Sequence, residues 1–228
     1  MHDLTIVFDL DGTLVETAPD LIHATNHVLS MQGLAPVPAE LIRPLISFGG
    51  RAMIEHGLRL HEQTVTTAEV DRLFRHFVDY YAENIAAHSH CYPGLEAALS
   101  ALSARGARLA VCTNKQERLS RQLLDALGLL DRFHALAGRD TFAVCKPDPE
   151  HLRGAIRLAG GDTSRAVMVG DSDTDIRTAR AAAIPVIAVP FGYTDVPIHH
   201  LNPDNVIEHY RELEAAIDQV RPRSPDRT

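Results

Sequence analysis

Ile6-Val7-Phe8-Asp9-Leu10-Asp11-Gly12-Thr13-Leu14 holds the sharpest change of character in the chain. Leu4 to Phe8 is a short apolar run, β-branched at its centre, and predicts a strand buried on both faces. It stops at two carboxylates two residues apart, then a glycine and a hydroxyl. In extended backbone such a pair points the same way, so Asp9 and Asp11 are expected to address one point beyond the strand end. Gly12 lets the backbone turn sharply and approach a ligand. Two acids at the mouth of a buried strand repel each other unless a cation sits between them. A plain Asx-type turn explains the same residues, and the stretch alone does not choose between the two.

Around this stretch the chain has 228 residues, enough for one cored domain plus an insertion. It is 45% hydrophobic and 23% charged, as expected of a water-soluble globular protein. A formal net charge of -8 argues against a nucleic-acid backbone or an anionic membrane as partner. A small anionic substrate is compatible with it, because a metal and a few cations can reverse the sign within one pocket. Cys91, Cys112 and Cys145 are odd in number and widely spaced, which fits buried thiols rather than a disulfide framework or a zinc site. The N-terminus runs straight into the first strand without a basic region or cleavage site. The longest apolar stretch, Ala181 to Gly192, is short and carries prolines, so no membrane span is expected. A cytoplasmic protein is expected.

After Leu14 no strand is expected from Pro19 to about Ala87. Asp20–Met31, Pro38–Ile46, Arg51–Leu60 and Thr67–Ala87 predict helices; the last carries Val70, Leu73, Phe74, Phe77, Tyr81 and Ile85 along one face. That is enough for a small helical bundle. From Pro93 onward strands alternate with helices. Strands are expected at Ala107–Cys112, His134–Ala137, Ala166–Val169, Val186–Val189 and Asn205–Ile207. Helices are expected from Pro93-Gly94 to near Gly106, and at Gln116–Leu127, Pro149–Ala159, Asp173–Ala183 and Tyr210–Val220. Such alternation predicts an α/β fold: a Rossmann-like parallel sheet core covered by helices. The first strand must join that sheet, so the helical block is an insertion. Residues 1–14 and 88–228 then form the core domain and 15–87 an inserted small α-helical cap, with a polar tail from Arg221.

Three further candidate sites fall at the C-terminal ends of expected strands, where open parallel sheets place their chemistry. Thr113 and Asn114 follow one strand, Lys146 precedes a helix within Cys145-Lys146-Pro147-Asp148-Pro149, and Gly170-Asp171-Ser172-Asp173-Thr174-Asp175 follows another strand. Each alone could be a helix cap or a turn. Together with the first stretch, in this order, they point to a site. Only Lys115 and Lys146 are lysines among the 22 basic residues, so a compact ammonium at Lys146 reads as required rather than incidental.

These four stretches resemble the signatures of the haloacid dehalogenase superfamily of phosphohydrolases, and the helical insertion resembles that family's cap. Glu16-Thr17-Ala18-Pro19-Asp20, Tyr92-Pro93-Gly94 and Cys145-Lys146-Pro147-Asp148-Pro149 are most similar to its phosphoglycolate phosphatase group. The resemblance implies a phosphoric monoester hydrolase with Asp9 as nucleophile, forming an aspartyl-phosphate that water hydrolyses. It implies Mg²⁺ held by Asp9, Asp11 (through its backbone carbonyl) and Asp171. Asp11 would be the general acid/base, and Gly12, Thr113, Asn114 and Lys146 would hold the phosphoryl group, Lys146 adding positive charge. Asp175 would fix Lys146 or a metal-bound water.

Specificity is expected in the cap. Arg51, after Gly49-Gly50, either clamps a substrate carboxylate or simply starts a surface helix. The cap histidines His23, His27, His56, His61 and His76 share no metal-ligand spacing with acids and read as helix-surface residues. The expected partner is a small phosphorylated metabolite, 2-phosphoglycolate first, with no nucleic acid and no membrane, the protein being a monomer or homodimer. The alternatives are a β-phosphoglucomutase-like phosphotransferase, or a phosphatase for sugar phosphates, nucleotides or pyrophosphate.

Overall fold

The computed structural model describes residues 3–194 and 196–221, so most of the expected polar tail, residues 222–228, lies outside the described residues. In chain order the strands and α-helices are β1 (Thr5–Phe8), β2 (Val15–Glu16), α1 (Ala18–Ser30), α2 (Ala39–Ile42), α3 (Gly50–Leu60), α4 (Thr67–Glu83) and β3 (His90–Cys91). There follow α5 (Leu95–Ala104), β4 (Arg108–Cys112), α6 (Glu117–Ala126), β5 (Ala135–Ala137), α7 (Pro149–Leu158), β6 (Ala166–Gly170), α8 (Asp173–Ala182), β7 (Val186–Ala188), β8 (Asn205–Val206) and α9 (Leu213–Val220). The chain forms two compact units, one from the residues up to Val15 with those from Cys91 onward, the other from Glu16–His90.

The first unit is built on a parallel sheet of strand order β5-β4-β1-β6-β7-β8. The apolar opening strand β1 lies in the middle, between β4 and β6, as a run buried on both faces must. Val7, Ala110, Cys112, Met168 and Val186 share one face and pack with Leu152, Ile156, Ile176 and Ala179 of α7 and α8. Their neighbours Ile6, Phe8, Leu109, Val111, Val167 and Val169 are equally buried and point the other way, where α5 and α9 contact β4 and β7. Removing a side chain of this size from water contributes about 1.5–3 kcal/mol each. The register sets Phe8 against both Val111 and Val169, so the residues that follow these three strands emerge at one level of the sheet edge. Asp9 and Thr113 continue the ladder, their N–H groups donating to the carbonyls of Val169 and Ala137 at 2.9 Å.

The second unit is a helical bundle in which α1, α3 and α4 contact one another. Gly57 lets α3 approach α1 closely: a Cβ there would lie 2.7 Å from Leu29 Cδ1. α4 opens with a reciprocal capping box between Thr66 and Glu69 and buries Val70, Leu73, Phe77 and Tyr81. It stops at Glu83 rather than Ala87, where the Asn84 side chain donates to the Tyr80 carbonyl at 2.9 Å. The expected helix Pro38–Ile46 is a short α2 followed by a 3-10 turn, Arg43–Phe48, because Pro44 removes an N–H from the ladder. Sequence alone did not suggest β2 and β3, which pair with each other in a two-stranded sheet. Two-residue strands are too short to show a period. Among the cysteines only Cys112 is buried; Cys91 and Cys145 are partly exposed, against the expectation of three buried thiols.

Candidate active site

Asp9 emerges from the central strand, largely buried, with Oδ1 2.9 Å from the Lys146 ammonium. Gly12, at φ 80, turns the chain back so that its N–H donates to the Val15 carbonyl at 2.9 Å. Asp171 follows β6 and is fixed by two donors, the Thr13 hydroxyl at 2.9 Å and the Tyr193 N–H at 2.7 Å. Gly12 and Gly192 press against it, since a Cβ on either would fall 2.4 or 2.2 Å from Asp171 Oδ2. The sequence thus needs glycine in two loops, far apart in the chain, to seat one carboxylate.

Lys146 is buried, and its ammonium also donates to Asp175 Oδ1 at 2.6 Å. Asp175 has a second task. With Ser172 it closes the capping box of α8, its Oδ2 accepting from the Ser172 N–H at 3.2 Å and the Ser172 hydroxyl at 2.6 Å. The backbone of Lys146 is held as well. Its N–H donates to His151 Nδ1 at 3.1 Å, and its carbonyl accepts from the Asn114 amide at 2.9 Å. His151 is buried and its Nε2 lies 3.0 Å from the Gly138 carbonyl, so the neutral tautomer with the proton on Nε2 satisfies both partners. Thr113 is buried beside these groups, its hydroxyl oxygen accepting from the Lys115 N–H at 3.2 Å.

The electrostatics follow from burial. Loss of solvent pushes the Asp9 carboxyl up to about 7, with the Asp175 charge adding to the shift and Lys146 opposing it. Burial, then Asp175 and Asp9, hold Asp171 well above the usual carboxylate range. Burial also opposes the charge on Lys146, but Asp175 and Asp9 outweigh it and keep the ammonium protonated. Burial drives the His151 imidazole down to about 4, and that of Cys112 raises its thiol to about 12, which leaves it inert as a nucleophile.

Asp9, Asp171 and Asp175 can each offer an oxygen so that all three lie within 4.8 Å of one another. Four carboxylates, of Asp9, Asp11, Asp171 and Asp175, face two ammonium groups, of Lys115 and Lys146, an excess of two negative charges. The Oδ1 atom of Asp9 is buried without a hydrogen bond of good geometry, although Lys146 lies beside it. An oxygen-rich cradle with a formal excess of two negative charges that burial resists, and with one under-satisfied oxygen, fits a hard divalent cation that favours the ionised forms.

The carboxylate of Asp11 is not one of the trio Asp9, Asp171 and Asp175, although its charge acts on Asp9. β1 ends at Phe8, so strand alternation does not reach Asp11, and its carboxylate turns to Lys115, whose Nζ lies 3.0 and 3.3 Å from the two oxygens. Lys115 and His151 were missed in the sequence. The scarcity of lysine that singled out Lys146 applied equally to Lys115. Asn114 spends its amide N–H on the Lys146 carbonyl and leaves its Oδ1 buried without a partner.

Arg51 lies in the helical unit, where its guanidinium pairs with Asp71, stands 3.9 Å from Glu55, and lies over the Phe74 ring. In the same unit Glu16 pairs with Arg43. His23 is exposed on α1, as expected of a helix-surface residue; sequence spacing did not show that Asp20, His23 and His88 come together there. Asp20 is already saturated, its oxygens accepting from the N–H groups of His88 and Ser89, the Ser89 hydroxyl and His88 Nδ1. It ties the start of α1 to the segment before β3.

The chain is similar to known proteins in sequence and in fold. The family model described as haloacid dehalogenase-like hydrolase matches residues 6–189. A phosphoglycolate phosphatase of Mesorhizobium japonicum is 50% identical over 208 residues, 91% of this chain and 92% of the relative. One from Agrobacterium fabrum is 47% identical over 211 residues, 92% of this chain and 91% of the relative. The crystal structure of a predicted phosphoglycolate phosphatase from Haemophilus somnus 129pt aligns with a TM-score of 0.87 at 30% identity, over 94% of this chain and 97% of that one.

Proposed function

The chain belongs to the haloacid dehalogenase-like hydrolase family, and from that premise we propose that it is a phosphoric monoester hydrolase whose substrate is 2-phosphoglycolate. One observation carries the chemistry. A largely buried carboxylate, Asp9, stands at the end of the central strand with a fixed ammonium, Lys146, 2.9 Å away. The substrate assignment rests on the phosphoglycolate phosphatases that are similar along almost their whole length.

In this reading Asp9 attacks phosphorus, the bond to the leaving oxygen breaks, and an aspartyl-phosphate forms on Asp9. Asp11 gives its proton to the leaving oxygen, then takes one from the water that cleaves the acyl phosphate. Lys146 and Thr113, with the backbone N–H groups after β1 and β4, hold the charge on the equatorial oxygens, and Gly12 leaves room for the phosphoryl group. Asn114 acts by fastening the Thr113 loop to the Lys146 carbonyl. Asp175 keeps Lys146 charged and aimed. The carboxylates of Asp9 and Asp171, with the Asp11 carbonyl, would hold Mg²⁺, which supplies charge neutralisation between nucleophile and phosphoryl group.

We assign the unit formed by the residues up to Val15 and from Cys91 onward to catalysis, and Glu16–His90, three residues longer at its end than the expected 15–87, to a cap that selects substrate. Among the described residues no helix is long and apolar enough to cross a membrane, and we place the enzyme in the cytoplasm. The test is phosphate release from 2-phosphoglycolate, hexose phosphates, nucleotides and pyrophosphate, with Mg²⁺ and with chelator. Metal-dependent turnover with a strong preference for 2-phosphoglycolate is expected. Preference for another ester overturns the substrate, and no release from any compound overturns the activity.

A further inference from the structure

We propose that Lys115 is the specificity-determining cation of this site, recognising a carboxylate on the leaving group one methylene away from the scissile oxygen. The inference rests on the phosphoglycolate reading and deepens it. Three observations meet at this residue. Lys115 is one of only two lysines in a chain that otherwise uses arginine. Its side chain is 7% exposed, so a flexible four-carbon stem has been ordered and its ammonium largely withdrawn from water. Its Nζ lies 3.0 and 3.3 Å from the two oxygens of Asp11.

The position of Asp11 fixes what Lys115 can reach. A general acid must approach the leaving oxygen to about 2.6–3.2 Å. An ammonium touching that acid therefore stands one side chain away from the leaving oxygen, on the leaving-group side of phosphorus. The other lysine, Lys146, is on the nucleophile, 2.9 Å from Asp9. The two cations thus divide the reaction, Lys146 serving the phosphoryl group and Lys115 the alcohol that departs. In 2-phosphoglycolate the carboxylate hangs on the carbon that bears the leaving oxygen, on the side of phosphorus where that cation stands. An ammonium carries three donors, so Lys115 can keep one on Asp11 while another meets the substrate. A neutral alcohol offers that donor at most an uncharged acceptor, which binds an ammonium more weakly than a carboxylate does. Sugar and nucleoside leaving groups carry no carboxylate at that position and forgo the charge-assisted contact that 2-phosphoglycolate makes. Arg51, the other cation weighed for this task, is already paired with Asp71.

The experiment compares kcat/KM for 2-phosphoglycolate and for ethyl phosphate, a two-carbon ester with a methyl in place of the carboxylate, in the wild-type enzyme, Lys115→Met and Lys115→Arg. Losing a charge-assisted contact should shrink the preference for 2-phosphoglycolate on the order of 10- to 100-fold in Lys115→Met. The rise in KM for the acid should carry the larger share, and Lys115→Arg should recover most of the preference. Lys115→Gln repeats the comparison should the methionine variant fail to fold. Equal losses on both esters overturn the proposal, because Lys115 would then act only by placing Asp11. A wild-type enzyme that does not prefer 2-phosphoglycolate to ethyl phosphate overturns the substrate reading itself, a result read without any variant.

Discussion

Asp175 accepts a hydrogen bond from the Lys146 ammonium at 2.6 Å while its other oxygen caps α8, so one carboxylate fastens both the helix and the cation of the site. Both side chains are shut off from solvent. Removing one partner of such a pair leaves an uncompensated buried charge. Asp175→Ala is expected to destabilise the protein by about 3–5 kcal/mol in urea unfolding. Asp175→Asn, which keeps an oxygen for the Ser172 donors, should lose less. Equal loss in the two would show that the ion pair, and not the cap, carries the effect.

Asp9 carries a different kind of cost. It is a carboxylate placed for chemistry among other acids, and burial disfavours its charge. Asp9→Asn should lower kcat by about 10⁴-fold or more and leave the fold at least as stable as the wild type in metal-free buffer. Undiminished turnover by a variant cleared of contaminating phosphatase would refute Asp9 as the nucleophile.

Gly192→Ala tests the seat of Asp171. The added methyl would lie 2.2 Å from Asp171 Oδ2, so either Asp171 or the loop must move, and the Tyr193 N–H bond goes with it. The Mg²⁺ concentration for half-maximal activity should rise about 10- to 100-fold, with only a small change in Tm. An unchanged metal requirement would mean that Asp171 is not a ligand.

His151 gives a pH signature. Its folded pKa of about 4 lies below the ordinary 6.5, so the fold holds it neutral and protons bind the unfolded chain first. Its contribution is intact above about pH 6.5 and is lost as pH falls toward 4, a change discounted to roughly 2 kcal/mol for partial solvent screening. His151→Gln should flatten the slope of unfolding free energy between those limits. A slope identical to that of the wild type would remove His151 as its source.

Much of this was legible in the sequence because the signals are local. The apolar run before Asp9, the glycine at 12, Ser172 three residues ahead of Asp175 and Pro149 opening a helix each declare a strand end or a cap within a few residues. The misses are pairings between distant segments. Nothing near Asp11 announces that its carboxylate will meet Lys115, 104 positions away. Nothing near Gly192 says that it must be bare for Asp171.

The sequence by itself determined the order of the elements, a parallel sheet with the opening strand inside it, and the emergence of acids and a lysine at strand ends. Hydrophobic period and capping chemistry act over one or two turns of chain, and that range suffices for those conclusions. Only the tertiary structure decided how the charges are shared: Lys146 between Asp9 and Asp175, Lys115 on Asp11, Arg51 on Asp71. Ion pairing depends on distance in space and on exclusion of water, and both are set by strand register and packing rather than by sequence spacing.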